Sequence, residues 1–245
     1  MPEDFEIKRK VLIKYHGKSK NPVIPEGVRK IGKNAFESSE IYTVMIPDSV
    51  TEIAEDAFAG SCIREITIPK SVEKIGKRAF SLCSDLRSFT LLGKLKSFDQ
   101  WIFCACEKLS EIHIPDDMPK ALGIYSGACK IKKVELLPTE KEVCDLAFNG
   151  CYGLKEVVIP EGVVRIGRGA FGCCNKLEKI VLPESVEEID DRAFMSCYKL
   201  KTVTIPKNIK RISPYAFINC DKLGPRTLKK IEKVSGPLVM REPWD

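Results

Sequence analysis

Eleven cysteines and two histidines, His16 and His113, are the side chains of this 245-residue chain that could support thiol, metal or acid–base chemistry. Zinc prefers thiolate and imidazole ligands, and paired cysteines can form disulfides. No two cysteines have C-x-x-C spacing, and two histidines supply few ligands. The sequence therefore predicts no metal site and no cofactor. The odd number of thiols suits a reducing compartment.

Seven cysteines share one position in a repeated pattern, three residues after an aromatic position. Two further copies of the pattern carry Ser39 and Ser61 there. A small side chain required once per repeat indicates packing, because free cysteine behaves as a compact buried hydrophobe. We expect the remaining cysteines, Cys62, Cys104, Cys144 and Cys173, to lie near the surface. The seven are Cys83, Cys106, Cys129, Cys151, Cys174, Cys197 and Cys220.

An Ala-Phe pair marks the repeat and returns every 22 or 23 residues, which gives nine modules. One module buries too little apolar surface to offset the entropy of ordering its chain, so stability must come from stacking. The pairs or their equivalents are Ala35-Phe36, Ala57-Phe58, Ala79-Phe80, Ile102-Phe103, Tyr125-Ser126, Ala147-Phe148, Ala170-Phe171, Ala193-Phe194 and Ala216-Phe217.

The apolar positions follow the pattern L-x-x-I-x-I-P-x-x-V-x-x-I-x-x-x-A-F-x-x-C, which is clearest in residues 177–197. In this pattern, over about residues 22–223, the chain resembles the BspA-type leucine-rich-repeat family of bacterial proteins. The resemblance implies a right-handed solenoid used for adhesion or protein binding, without catalysis. The motif residues are structural in that family, so no functional site carries over.

The segment before each proline has β-branched residues at alternate positions and ends at a residue that cannot donate to a ladder, which predicts one short parallel strand per coil. The later V-x-x-I segment can form a second, shorter ladder. We therefore predict a β-rich α/β solenoid: a right-handed leucine-rich-repeat superhelix with one parallel β-sheet and nine repeats. The predicted domains are an N-terminal capping hairpin (1–21), the solenoid (22–223), and a C-terminal cap and tail (224–245) with a short helix whose N-cap is Thr227.

Catalysis needs polar groups that converge in a cleft. His113 lies on the outward side of a predicted strand beside Glu111 and Glu135, but no nucleophile accompanies it in the pattern. No Gly-rich phosphate loop is present. The sequence therefore predicts a protein that is not an enzyme, with no catalytic residues; a polar pocket near His113 would favour the enzyme alternative.

The outward face of the predicted strands is the first candidate partner surface, because repeat proteins bind partners on such faces. It has no aromatic row, so stacking of sugars or bases is poorly supported. The candidate residues on this face are Thr67, Thr90, His113, Glu135, Val158 and Val181.

A second candidate surface comes from three consecutive modules in which the residue before the alanine position is apolar: Trp101, Ile124 and Leu146. Leu122 adds to this cluster. Adjacent coils would align these side chains into an apolar docking patch. The alternative is that the middle coils shift register and bury Leu122 or Ile124.

Charged residues form two rows, with lysine and arginine at the strand entrance and mostly acidic residues after the proline. Such rows could steer an acidic partner to one edge, or could simply be solvated. A net charge of +6 distributed in this way gives weak support for nucleic-acid binding.

Non-catalytic protein–protein recognition is thus the predicted function, with an unidentified protein partner, no nucleic acid, no membrane insertion and a monomer favoured. The alternative is an exported, adhesin-like surface module that binds host or matrix ligands. The charged first residues contain no signal-peptide core, and no transmembrane run follows. The chain as written is expected in the cytoplasm, or outside the cell or at its surface if a leader was removed.

Overall fold

The structure is a computed structural model that describes residues 4–98, 101–115, 118, 125–128 and 130–241. The chain forms two compact units. Unit 1 contains residues 1–118 and 127–129, and unit 2 contains residues 119–126 and 130–245.

Unit 1 begins with an antiparallel hairpin, and β2 then pairs in parallel with the first of the coils. Most coils contribute two strands, one in the segment that ends at the proline and one in the later V-x-x-I segment, and we call the two resulting sets the first row and the second row. The second row has the order β1-β2-β3-β4-β6-β8, and the first row has the order β5-β7-β9. The strands are β1 (Phe5–Lys8), β2 (Val11–Tyr15), β3 (Lys30–Ile31), β4 (Glu52–Ile53), β5 (Glu65–Ile68), β6 (Lys74–Ile75), β7 (Ser88–Leu91), β8 (Ser97–Phe98) and β9 (Glu111–His113).

Unit 2 repeats the same plan with parallel pairs β10-β12 and β14-β16 in the first row and the order β11-β13-β15-β17 in the second. Helix α1 (Pro225–Ser235), the one helix among the described residues, follows the last coil and packs on β16 and β17. The strands are β10 (Lys133–Glu135), β11 (Glu142–Val143), β12 (Glu156–Val158), β13 (Arg165–Ile166), β14 (Lys179–Val181), β15 (Glu188–Ile189), β16 (Thr202–Thr204) and β17 (Arg211–Ile212). The solenoid prediction is confirmed, and the V-x-x-I segments do form the second row.

Aromatic rings fill the same place in every coil and form what we call the phenyl column. Neighbouring ring centroids lie 4.9–6.0 Å apart in unit 1 and 5.1–5.9 Å apart in unit 2, and most pairs are stacked. Each buried phenyl ring stabilises the fold by roughly 2–3 kcal/mol through burial alone. The column contains Tyr15, Phe36, Phe58, Phe80 and Phe103 in unit 1, and Tyr125, Phe148, Phe171, Phe194 and Phe217 in unit 2.

Tyr125 corrects the sequence alignment of the fifth module, which placed Ser126 at the phenyl position. The Tyr125 ring lies 5.9 Å from Phe148, and its carbonyl accepts the hydrogen bond that a phenylalanine carbonyl accepts in other coils. An aromatic ring fills the column and a serine cannot, so the ring sets the register. Ala128 then takes the cysteine position by bridging to Cys106. The predicted occupant, Cys129, lies outside the described residues.

Most coils contain two residues in left-handed backbone conformations, which the sequence did not indicate. At Asn34, Arg78 and Leu146, for example, the residue before the alanine position has φ between 54° and 66°, and a second such residue lies two positions after the phenyl position. Each costs roughly 1–2 kcal/mol in a non-glycine residue. Hydrogen bonds between coils offset this cost, as from Phe36 N–H to the Ala57 carbonyl at 2.7 Å.

At both ends of the repeats, the terminal segments supply contacts that a further coil would make. In the N-terminal hairpin, Tyr15 supplies a ring to the phenyl column and its N–H donates to the Ala35 carbonyl. At the other end, Asn219 N–H donates to the Met240 carbonyl, as Ser196 N–H donates to Ile218 one coil earlier. Helix α1 starts at Pro225 after Gly224, so the prediction that Thr227 is the N-cap was wrong: proline favours the first helical position, and Thr227 is buried.

We expect Phe171→Ala to lower the free energy of unfolding by about 3–5 kcal/mol, because it removes a fully buried ring between two stacked neighbours. Urea unfolding followed by circular dichroism measures the change. Tyr198→Ala, which truncates an exposed ring, serves as the control and should change the value by less than about 0.5 kcal/mol. Equal losses in the two variants would contradict the role of the column.

Candidate functional site

The buried thiols form a column of their own beside the phenyl column. Each Sγ donates a hydrogen bond to the carbonyl of the aromatic residue one coil earlier, over 2.9–3.4 Å. All six described members are fully buried, so the prediction that these cysteines pack in the interior is confirmed for them. We call this set the thiol column: Cys83, Cys106, Cys151, Cys174, Cys197 and Cys220.

Burial makes these thiols chemically inert at neutral pH. It raises the pKa of the Cys83 thiol to about 11 and also raises the pKa of Cys174 and Cys197. A neutral thiol is a poor nucleophile and a poor metal ligand. The predicted surface cysteines, Cys62, Cys104, Cys144 and Cys173, are half-buried. Within the described ranges, no group of three or more His, Cys, Asp or Glu side chains could hold a metal ion.

The Cys83 thiol should make stability depend on alkaline pH. Its pKa is about 11 in the folded chain against 9.0 for an ordinary thiol, so the stability that it contributes is complete below pH 9 and is lost as pH rises toward 11. The loss should be roughly 2–3 kcal/mol. Urea unfolding across this window should show a shallower decline for Cys83→Ser, which copies Ser61 of the preceding coil. Identical declines in the two proteins would refute the assignment.

The outward face of the first strand row in unit 1 is recessed and lined by predicted residues. Thr67 pairs with Thr90 in the β5-β7 register, and both line a groove of about 520 Å³. Met45, whose side chain is 65% exposed, and the exposed Leu92 add apolar surface. Asp48, Glu65 and Ser88 supply polar groups to its lining.

Unit 2 has its own groove on the same face, with a volume of about 590 Å³. Val158 and Val181 line it and are 43% and 52% exposed, although strand positions of this kind carry polar residues when they only face water. Lysines and glutamates surround this pair, namely Lys155, Glu156, Glu161 and Lys179. Glu135 is exposed and pairs in register with Val158.

His113 is exposed on β9, in register with Thr90, and neither groove includes it. Its Nε2 lies 3.8 Å from Glu111 Oε2, and both side chains are well exposed. Solvent screens such a pair, and no desolvated cleft surrounds the imidazole. The local geometry therefore matches that of a surface histidine.

The predicted apolar patch is only partly described. Trp101 belongs to unit 1 and Leu146 to unit 2, and both are half-buried residues in the left-handed conformation. Leu122 and Ile124 lie outside the described residues. The sequence alignment placed Ser126 at the phenyl position and therefore grouped Ile124 with Trp101 and Leu146. The structure shows that Tyr125 occupies the phenyl position instead. The patch, and its burial alternative, stay predictions.

A charge network on the second strand row was missed by sequence reasoning. Arg165 donates to Glu142 at 2.9 Å, to Asp145 at 2.8 Å and to Asp190 at 2.8 Å. Burial alone would lower the pKa of Arg165, but these hydrogen bonds outweigh it and raise that pKa. The signal was available, because charges alternate in sign at this position in consecutive coils: Glu142, Arg165, Glu188 and Arg211.

We expect Arg165→Gln to lower the free energy of unfolding by about 1–3 kcal/mol, because three carboxylates lose their shared donor. The control is Lys210→Gln, which removes one exposed pair with Glu187 and should change stability by no more than about 0.5 kcal/mol. Thermal and urea unfolding give the comparison. Loss of the same size in both variants would show that the Arg165 network carries no special stability.

Parallel coils, two strand rows and internal columns of aromatic and thiol side chains define a leucine-rich-repeat solenoid. The family profile described as "BspA type Leucine rich repeat region (6 copies)" matches residues 7–125 and 122–235. The chain therefore belongs to the BspA-type leucine-rich-repeat family.

A solved structure shows the same fold, and a second matches much of the chain. A leucine-rich repeat protein from Eubacterium ventriosum matches 84% of this chain with 22% identity and a TM-score of 0.52; the chain spans about half of that protein, 49% of its length. A leucine-rich repeat protein from Bacteroides ovatus matches 91% of this chain and 82% of its own, with 23% identity and a TM-score of 0.44. A search of curated proteins finds no match.

None of the described helices combines the length and apolar character needed to span a bilayer.

Proposed function

We propose that this protein recognises another protein through the outward face of its first strand row, without catalysis. The observation that carries the proposal is the pair of exposed valines, Val158 and Val181, in the groove of unit 2. Exposed apolar side chains in a recess, rimmed by charged residues, are typical of protein interfaces.

The strands that present these side chains are rigid. Val157 and Ile180 are buried in the core on the opposite side of the same strands, and the adjacent backbone is hydrogen-bonded to neighbouring coils, as from Lys155 N–H to the Lys132 carbonyl at 2.8 Å. A preorganised surface loses little entropy on binding. The outward positions are not needed for coil packing, so they are free to serve recognition.

The groove chemistry favours a protein over other ligand classes. No aromatic side chain lines either groove, whereas stacking on aromatic rings supports the binding of single-stranded nucleic acids. Threonine hydroxyls in unit 1 and valine side chains in unit 2 suit the mixed polar and apolar surface of a polypeptide. Charged side chains at the edges give such an interface its polar rim.

For the location of the partner, we favour the outside of the cell, because proteins of this family are often secreted or displayed at the surface. The thiol column does not oppose this, since its described members are fully buried from solvent. Fractionation of the producing cell, with detection by antibody, tests the location. Recovery solely in the cytoplasm would reject it.

We expect Val158→Glu together with Val181→Glu to abolish partner capture, because two buried carboxylates would face an apolar surface of the partner. The bait is the full chain, and retained proteins are identified by mass spectrometry from the extracts of the source cell and from its surroundings. Val164→Glu is the matched control, since Val164 is similarly exposed but lies outside the groove.

The wild-type chain and the control should retain the same protein, and the double variant should lose it. Thermal unfolding of all three proteins establishes that each is folded. Retention of that protein by the folded double variant would reject the strand face of unit 2 as the interface.

A further inference from the structure

The net positive charge of the chain comes from one unit. The 40 basic and 34 acidic residues divide as 18 and 18 in unit 1 and as 22 and 16 in unit 2. The net charge of +6 therefore belongs to unit 2, which also holds the valine groove. This asymmetry makes unit 2 the unit toward which an acidic partner would be steered.

Outward charges at equivalent positions of neighbouring coils are often of opposite sign. Glu52 lies between Lys30 and Lys74, at 3.0 and 3.6 Å, and Lys133 contacts Glu156 at 3.2 Å. Short spacing between coils explains the rule, because like charges at such spacing repel and opposite charges attract.

One column of unit 2 breaks this rule. Lys176, Lys199 and Lys222 stand at the same position in three consecutive coils, one residue before the buried leucine. All three are exposed, and none has a carboxylate within ion-pair distance among the described residues. We call them the lysine column. In unit 1 the equivalent position carries Asp85 beside Lys108, joined at 2.6 Å.

Glu178 offsets the charge of the lysine column only in part. Its carboxylate accepts a hydrogen bond from Lys201 at 2.8 Å. That hydrogen bond is the main cause that lowers the pKa of Glu178, and the charges of Lys199 and Lys222 lower it further. One carboxylate that is shared with Lys201 leaves the three lysines of the column with a net positive charge.

Lys176 lies ahead of a strand that lines the groove, and Lys199 and Lys222 continue the lysine column in the two coils that follow. Lys176 precedes β14, which carries Val181, in the same coil, and Lys199 precedes β16 in the next. A chain segment lying across Val158 and Val181 would place neighbouring side chains beside these ammonium groups. We propose that the lysine column binds an acidic, extended segment of the partner protein, with alternating acidic and apolar side chains; this inference rests on the proposed function.

Carboxylates suit this site better than nucleic-acid phosphates. The column contains no arginine, the side chain that recognises phosphate in a bidentate manner. Exposed rings beside it, Tyr152 and Tyr198, are separated by the coil that carries Asn175, so they form no continuous stacking platform.

The test uses the full chain and a fluorescein-labelled peptide of alternating Glu and Val, with fluorescence anisotropy as readout. The triple variant Lys176→Gln, Lys199→Gln and Lys222→Gln should bind the peptide about tenfold more weakly than wild type, and added salt should weaken wild-type binding. The matched control, Lys18→Gln, Lys70→Gln and Lys77→Gln, removes the same charge from exposed lysines of unit 1 and should bind like wild type.

Thermal unfolding should show no decrease in the melting temperature of the lysine-column variant, because removal of like charges relieves repulsion. Equal peptide affinity in the two triple variants would overturn the inference. Tighter binding of the wild-type chain to a thymidine oligonucleotide of the same net charge would also overturn it. So would a wild-type dimer in gel filtration that becomes a monomer in the lysine-column variant.

The experiments distinguish failure of this inference from failure of the proposed function. If the lysine-column variant binds the peptide normally while Val158→Glu with Val181→Glu loses the captured partner, only the acidic specificity is wrong. If the valine variant keeps its partner, the groove itself is not the interface.

Discussion

Each coil must meet its own copy in the next coil, and this stacking constraint governs the rest of the structure. Phe171 lies 5.3 and 5.4 Å from the rings on either side of it, and the thiol beside each ring bonds to the preceding coil. A side chain in such a column contacts equivalents of itself, so its size must be kept along the chain. The interior is therefore repetitive, and variation is left to the outward positions.

That constraint explains how much of the fold was predictable. Phe58 and Cys83 repeat at fixed steps because packing demands it, so the solenoid, its strands and its buried thiols follow from the sequence. Tyr125 was misplaced because stepping the Ala-Phe pair along the chain assigned Tyr125-Ser126 to it, which put Ser126 where the ring of Tyr125 belongs. The left-handed residues could not be predicted, because Asn34 and Leu146 share no side-chain property. Their conformation is imposed by hydrogen bonds between coils.

The candidate site was predictable only in outline. Period-two alternation correctly placed Thr67 and Val158 on the outward face of paired strands. Whether that face is flat or recessed depends on neighbouring coils, so the grooves emerged only from the structure. The alternating signs of Glu142, Arg165 and Glu188 indicated charge pairing in the sequence, but the hydrogen bond from Arg165 to Asp190 in the following coil emerged only from the structure.

The division between interior and surface also determines where the protein can tolerate neighbouring charges of the same sign. Burial of rings and hydrogen bonding between coils stabilise the solenoid, and neither depends on the sign of an outward charge. Lys199 can therefore lie between two other lysines, because the buried rings and the hydrogen bonds between coils offset the small electrostatic cost. Because a pair such as Asp85 and Lys108 occupies the equivalent position elsewhere, the like-charged arrangement is not required by folding. The lysine column is therefore free to serve recognition, as we propose.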